Sequence, residues 1–79
     1  MTNRAPTGKL ALLLRCLADH HGRVVSYDLA TQRSHATSRE SLGALVSRLR
    51  RYLTETKNEH EILTYSGQGY MLRRKERYP

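Results

Sequence analysis

At 79 residues the chain is one domain at most, and a domain this small buries only about 60% of its unfolded surface. Its single cysteine excludes an intrachain disulfide, and no apolar run is long enough to span a membrane. With 14 Lys+Arg against 7 Asp+Glu, a net charge of +7 and clustered arginines, the composition points to an anionic partner, nucleic acid first, rather than to a charge that serves only solubility.

Residues 1–6 read as a flexible arm, and the basic N-terminus has no signal-peptide hydrophobic core behind it. With no Trp or Phe, the core must be mostly Leu and Val, with tyrosines at its margins. Thr7 can cap a first helix, on which Leu10, Leu13, Leu14 and Leu17 fall on one face. Cys16 lies beside that stripe and reads as a buried structural thiol. Gly22 reads as the glycine that closes this helix.

Val24 and Val25 are β-branched and suit a short extended segment. Ser26 can cap a second, short helix from Tyr27 to about Arg33. Ser34 to Ser38 reads as a turn. A longer helix then starts near Ser38, capped by Thr37 or Ser38, and runs to Leu53. At about 100° per residue, Leu42, Val46, Leu49 and Leu53 gather on one stripe, with Leu45 at its edge. The opposite side carries Glu40, Ser41, Ala44, Ser47, Arg48 and Arg51, with no acid in the middle turns. Arg50 lies nearer the core side, where an acid such as Asp28 is a candidate partner.

Thr54 to Glu61 is polar and reads as a connecting loop. Ile62 to Tyr65 and Tyr70 to Leu72 read as two strands joined by the turn Ser66 to Gly69. Arg73, Arg74, Lys75 and Arg77 follow as a basic tail. The organisation expected is an arm over 1–6, a folded domain over 7–73 and a basic tail over 74–79. Its fold class is mainly α with a small β-hairpin: a winged helix-turn-helix of three helices plus a C-terminal wing.

An α-helix fits the major groove of B-DNA, and the fork of an arginine donates to guanine O6 and N7 together. Arg48, at the centre of the exposed strip, is the first candidate for a base contact, and Arg51 for a base or a phosphate. Ser41 and Ser47 can donate to phosphates, and Arg39 sits at the helix start. At the hairpin, Thr64, Ser66 and Gln68 offer hydrogen bonds to the sugar-phosphate backbone or the minor groove. Gly67 and Gly69 read as a turn requirement. His20, His21, His35 and His60 show no metal-ligand spacing with one another or with Cys16. No phosphate-binding glycine loop, nucleophile elbow or catalytic carboxylate pair is visible, so neither enzymatic activity nor a cofactor is expected.

From Thr7 to Arg73 the chain resembles the OmpR/PhoB-type winged-helix DNA-binding domain. The pieces that carry the resemblance are LLRCLADHHGRVVS with Leu29, SRLRRYL from Ser47 to Leu53, and TYSGQGYML from Thr64 to Leu72, in that order and spacing. The resemblance implies a major-groove helix from Ser38 to Leu53 and a C-terminal wing. It implies DNA contacts at Glu40 to Ser41, Ser47, Arg48, Arg50, Arg51, Thr64 and Ser66; Arg73, after the return strand, is a further candidate for DNA contact. The chain departs from the family at three positions. Glu40 stands where an arginine is common, Gly43 where an acid is common, and Ser66 where some members carry a basic residue. Glu40 would repel phosphates unless Arg39 or another base pairs with it.

Members of this resemblance carry a receiver domain and a small N-terminal sheet, for which 79 residues leave no room. A stand-alone winged helix without its own phosphorylation switch is the expectation, with one side of the first helix uncovered. The leading reading is a bacterial or phage-type transcription regulator of the cytoplasm, associated with the nucleoid, that binds double-stranded DNA. The alternatives are a protein-interaction module that binds RNA polymerase, another regulator or its own copy as a homodimer, and a nucleoid-type binder without sequence preference.

Overall fold

The computed structural model describes residues 5–76. Residues 1–4 of the expected arm and Arg77 of the expected tail lie outside the described residues. Three helices and three strands follow in the order α1 (Gly8–Asp19), β1 (Val25–Ser26), α2 (Tyr27–Ser34), α3 (Arg39–Glu55), β2 (His60–Tyr65) and β3 (Gly69–Arg74).

In α1 the leucine periodicity does what it predicts. Leu13, Cys16 and Leu17 are buried, and Leu10 and Leu14 pack against them. Thr7 takes the N-cap position but contributes its carbonyl, which accepts from Ala11 N–H at 3.4 Å, and not its hydroxyl. Gly22 corrects the expectation for this helix. The helix already ends at Asp19, with His20 as its cap. Gly22 sits in the turn beyond it at φ +77, and its N–H donates to the carbonyl of Leu72 in β3 at 2.9 Å. The glycine therefore serves the approach of the chain to the sheet.

Ser26 caps α2, its Oγ accepting from Leu29 N–H at 3.1 Å. The helix runs one residue past the expected end, to Ser34, and His35 closes it in the left-handed region at φ +60. Ser38, one of the two cap candidates, caps α3 by accepting from Ser41 N–H at 3.1 Å. The buried stripe of α3 is Leu42, Val46, Leu49 and Leu53, together with Leu45. This helix takes in Thr54 and Glu55, which the polar run had suggested were loop. Only Thr56 to Glu59 connects it to β2. The last helical turn is closed by Thr56 Oγ1 donating to Tyr52 O at 2.8 Å and by Asn58 N–H donating to Leu53 O at 2.9 Å. His60 and Glu61 are strand residues, fixed at the start by Asn58 Oδ1, which accepts from His60 N–H at 2.9 Å.

The three strands form one antiparallel sheet in the order β1-β3-β2. The wing is thus more than the hairpin read from sequence, since β1 pairs Val25 with Tyr70 and Ser26 with Gly69. A two-stranded hairpin is marginal alone, and a third strand against a helix layer gives it support. Tyr65 O accepts from Gln68 N–H at 2.8 Å across the wing turn, and Gly67 at φ +78 supplies the positive φ that a type II turn needs. Gly69 has a different reason. A Cβ there would overlap the carbonyl of Val25, so β1 can lie beside β3 only if position 69 has no side chain.

Leu13, Leu17, Leu42 and Leu49 form the fully buried centre, with Val25, Ile62 and Leu72 from the sheet closing one side. Tyr70 is buried in this core, whereas Tyr27 and Tyr52 pack against its edge as the composition suggested for tyrosines generally.

Candidate nucleic-acid interface

The solvent side of α3 carries the side chains expected of it. Glu40, Ala44, Ser47, Arg48 and Arg51 are exposed, and Ser41 is half-buried. Among the described residues no ion pair engages Arg48 or Arg51. Their charges are held on a rigid helix whose other face is locked in the core. Glu40 has no ion-pair partner among the described residues, so the pairing with Arg39 that would have neutralised it is not formed.

Arg50 does not turn to Asp28. Its Nε and Nη2 donate to the carbonyl of Ile62 at 3.2 and 3.0 Å, and Nη2 also donates to Thr64 Oγ1 at 2.7 Å. Two residues expected at the interface, Arg50 and Thr64, are therefore partners of each other. Together they join α3 to β2. A guanidinium has five donors in one plane, so the remaining N–H groups of Arg50 stay available to an outside acceptor.

Arg39 emerges eleven residues before Arg50, about 20° from it on a helical wheel and thus on the same edge of α3. Its guanidinium lies over the Tyr27 ring, 4.3 Å from the centroid. Tyr27 in turn meets Tyr70 of β3 edge to face, with centroids 5.4 Å apart. Tyr27 N–H also donates to the carbonyl of Gln68 in the wing turn at 3.3 Å. The start of α2, the start of α3 and the wing thus meet at one seam. Sequence reasoning missed Tyr27 and Tyr70 in this role. The three residues are far apart in the chain, and no local pattern marks them as neighbours.

At the tip of the wing, Ser66 and Gln68 are exposed. At its foot, Arg73 and Arg74 are strand residues and not the beginning of a tail. Arg73 pairs with Glu61 at 3.1 Å and with Glu76 at 3.4 Å, and Arg74 with Glu59 at 3.6 Å. Glu61 across the hairpin, with Glu59 and Glu76 beside it, thus offsets the basic foot of the wing, whereas no ion pair among the described residues engages Arg39, Arg48 or Arg51.

The remaining reactive side chains have structural roles. Cys16 is buried, and that burial is the main cause holding its thiol above the ordinary value of 9.0; Arg33 acts against the rise and Asp19 with it. The Nδ1 atom of His20 lies 2.8 Å from the Cys16 carbonyl. His21 meets His60 edge to face with centroids 5.2 Å apart, and His60 Nδ1 lies 2.9 Å from Asn58 Oδ1. No group of three or more His, Cys, Asp or Glu side chains among the described residues is placed to hold a metal ion. No described helix is long and apolar enough to cross a membrane.

One family model, that of the C-terminal domain of transcriptional regulatory proteins, matches residues 3–72. No curated protein matches the chain closely enough to count as a relative.

Proposed function

Because the chain belongs to the OmpR/PhoB-type family of transcriptional regulatory C-terminal domains, non-enzymatic modules that bind DNA, we propose that α3 enters the major groove of a duplex while the wing follows the backbone or the minor groove. Arg48 and Arg51 reach base edges or phosphates from the centre of the groove face, and Ser41 and Ser47 reach phosphates. Ser66 and Gln68 meet the backbone from the wing tip, with Thr64, Arg50, Arg39 and Arg73 along the seam and the foot. The observation that carries this reading is the α3 face itself, with Arg48 and Arg51 exposed and unpaired beside small side chains that admit close approach. A helix and wing fixed to one another by Arg50 can meet DNA as one rigid surface.

Titration of a labelled duplex at two salt concentrations tests the proposal. Affinity should fall steeply with salt, with a slope of about 0.9 per phosphate neutralised. Absence of binding at low salt and high micromolar protein would end it. Arg48→Ala should weaken binding by about 1–3 kcal/mol and relax base preference at one position. An equal loss on every sequence would make Arg48 a phosphate contact, and equal affinity of the native chain for every duplex would favour a nucleoid-type binder.

A second reading rests on α1, where Leu12 is 39% exposed beside half-buried Ala11. An uncovered apolar edge of this kind suits a second copy of the chain, RNA polymerase or another regulator. Sedimentation of the native chain against Leu12→Glu distinguishes self-association from a monomer.

A further inference from the structure

We propose that Arg39 is a backbone-phosphate clamp at the seam between α3 and the wing, and that Tyr27 is the residue that positions it. This rests on the DNA-binding reading above and assigns a residue to it outside the groove face. On the wheel Arg39 points opposite to Arg48, on the edge of α3 shared with Arg50, so it lies away from the groove floor and at the seam with the wing. The backbone that the wing follows in the proposed docking carries its phosphates past that seam.

The side chain is prepared for such a contact. An exposed arginine ordinarily samples many rotamers, and ordering one on binding costs affinity. Here the guanidinium already rests on a ring face, 4.3 Å from the Tyr27 centroid. The ring is itself held against Tyr70, which is buried in the core. A guanidinium on an aromatic face keeps its in-plane N–H donors directed outward, where a phosphate oxygen can accept two of them. No protein acceptor takes an Arg39 N–H among the described residues, unlike Arg50, most of whose reach is spent on Ile62 and Thr64. The neighbouring Glu40 supplies a reason for the arrangement. It places a negative charge at the start of the groove face, and a cation fixed one residue earlier offsets it toward DNA without forming an ion pair.

The test has two arms on the full chain. Without DNA, the Arg39 side-chain protons should be shifted upfield by the ring in the native protein and in Tyr27→Phe, and should return to ordinary values in Tyr27→Leu. Identical Arg39 shifts in the native protein and in Tyr27→Leu would overturn the positioning role. With DNA, Arg39→Ala should weaken binding about three- to tenfold on every duplex and lower the salt slope by about one. Tyr27→Leu should weaken it about two- to fivefold, as expected for an exposed cation–π contact, and Tyr27→Phe should not. In the Arg39→Ala background, Tyr27→Leu should have no further effect; a full additional loss would mean that Tyr27 acts only through the fold. An Arg39→Ala loss confined to one base sequence, or no loss at all, would overturn the clamp. Arg39 is exposed, so that variant folds even if Tyr27→Leu does not. Native protein that binds no duplex would remove the DNA-binding reading and the clamp together, whereas native binding with unaffected variants removes the clamp alone.

Discussion

Glu40 pulls its helix in two directions. In the first turn of α3 its carboxylate lies near the positive end of the helix dipole, which stabilises the helix. On the same face, in the proposed docking, it meets the polyanion that the arginines would hold. Glu40→Gln should therefore lower the melting temperature slightly and raise DNA affinity severalfold at low salt, the gain shrinking as salt screens it. Isothermal titration beside thermal unfolding reads both signs. Gly69 faces no such conflict, because its only requirement is steric. Gly69→Ala should cost about 1–3 kcal/mol in urea unfolding, the range of an overpacked contact that the backbone must yield to. Cys16 adds a pH dependence. Burial raises its thiol pKa in the folded state, so the folded chain holds this proton more tightly than the unfolded one. That contribution is fully present below the ordinary thiol value of 9.0 and is lost as pH rises through the higher folded value. Melting curves between neutral and strongly alkaline pH should therefore fall more for the native chain than for Cys16→Ala.

Among the elements, those whose pattern is local were legible in the sequence. The leucine stripes of α1 and α3 repeat every three to four residues, and the caps Ser26 and Ser38 stand directly before their helices. Ser38→Ala should cost about 0.5–2 kcal/mol in chemical unfolding, since the Ser41 N–H loses its acceptor. What depended on distant partners was not legible. A two-residue strand has no period to detect, so nothing in Val25–Ser26 announced β3 as its neighbour. Arg50 looked toward an acid because opposite charge is the first partner that sequence offers. A bare carbonyl of β2 took it instead, and carbonyls carry no sequence signature. The polar residues Thr54 and Glu55 looked like loop for a related reason, since the helix beneath them is held by packing at Leu53 and not by their own character. Of the candidate interface, the exposed arginine strip of α3 was visible from the wheel, and the Tyr27–Arg39 seam was not.

For the whole molecule, the net charge of +7 is unevenly deployed. Strand arginines Arg73 and Arg74 are matched to Glu61, Glu76 and Glu59, while Arg39, Arg48 and Arg51 meet no acid among the described residues. Reversing Arg51 to Glu should thus damage DNA affinity far more than Arg74→Glu, a contrast that filter binding at fixed salt would show. The connection between α1 and α2 also has a bearing on how the chain acquires its shape. Gly22 bonds Leu72, Val25 pairs with Tyr70, and Tyr27 bonds Gln68, so this segment runs along β3 and the turn before it. These partners lie 41 to 50 residues apart, which is the kind of non-local contact that slows folding. A nascent chain can coil its helices early, but its first corner stays open until β3 leaves the ribosome. Synthesis of β3, more than helix formation, is then the event that commits this domain to its folded shape.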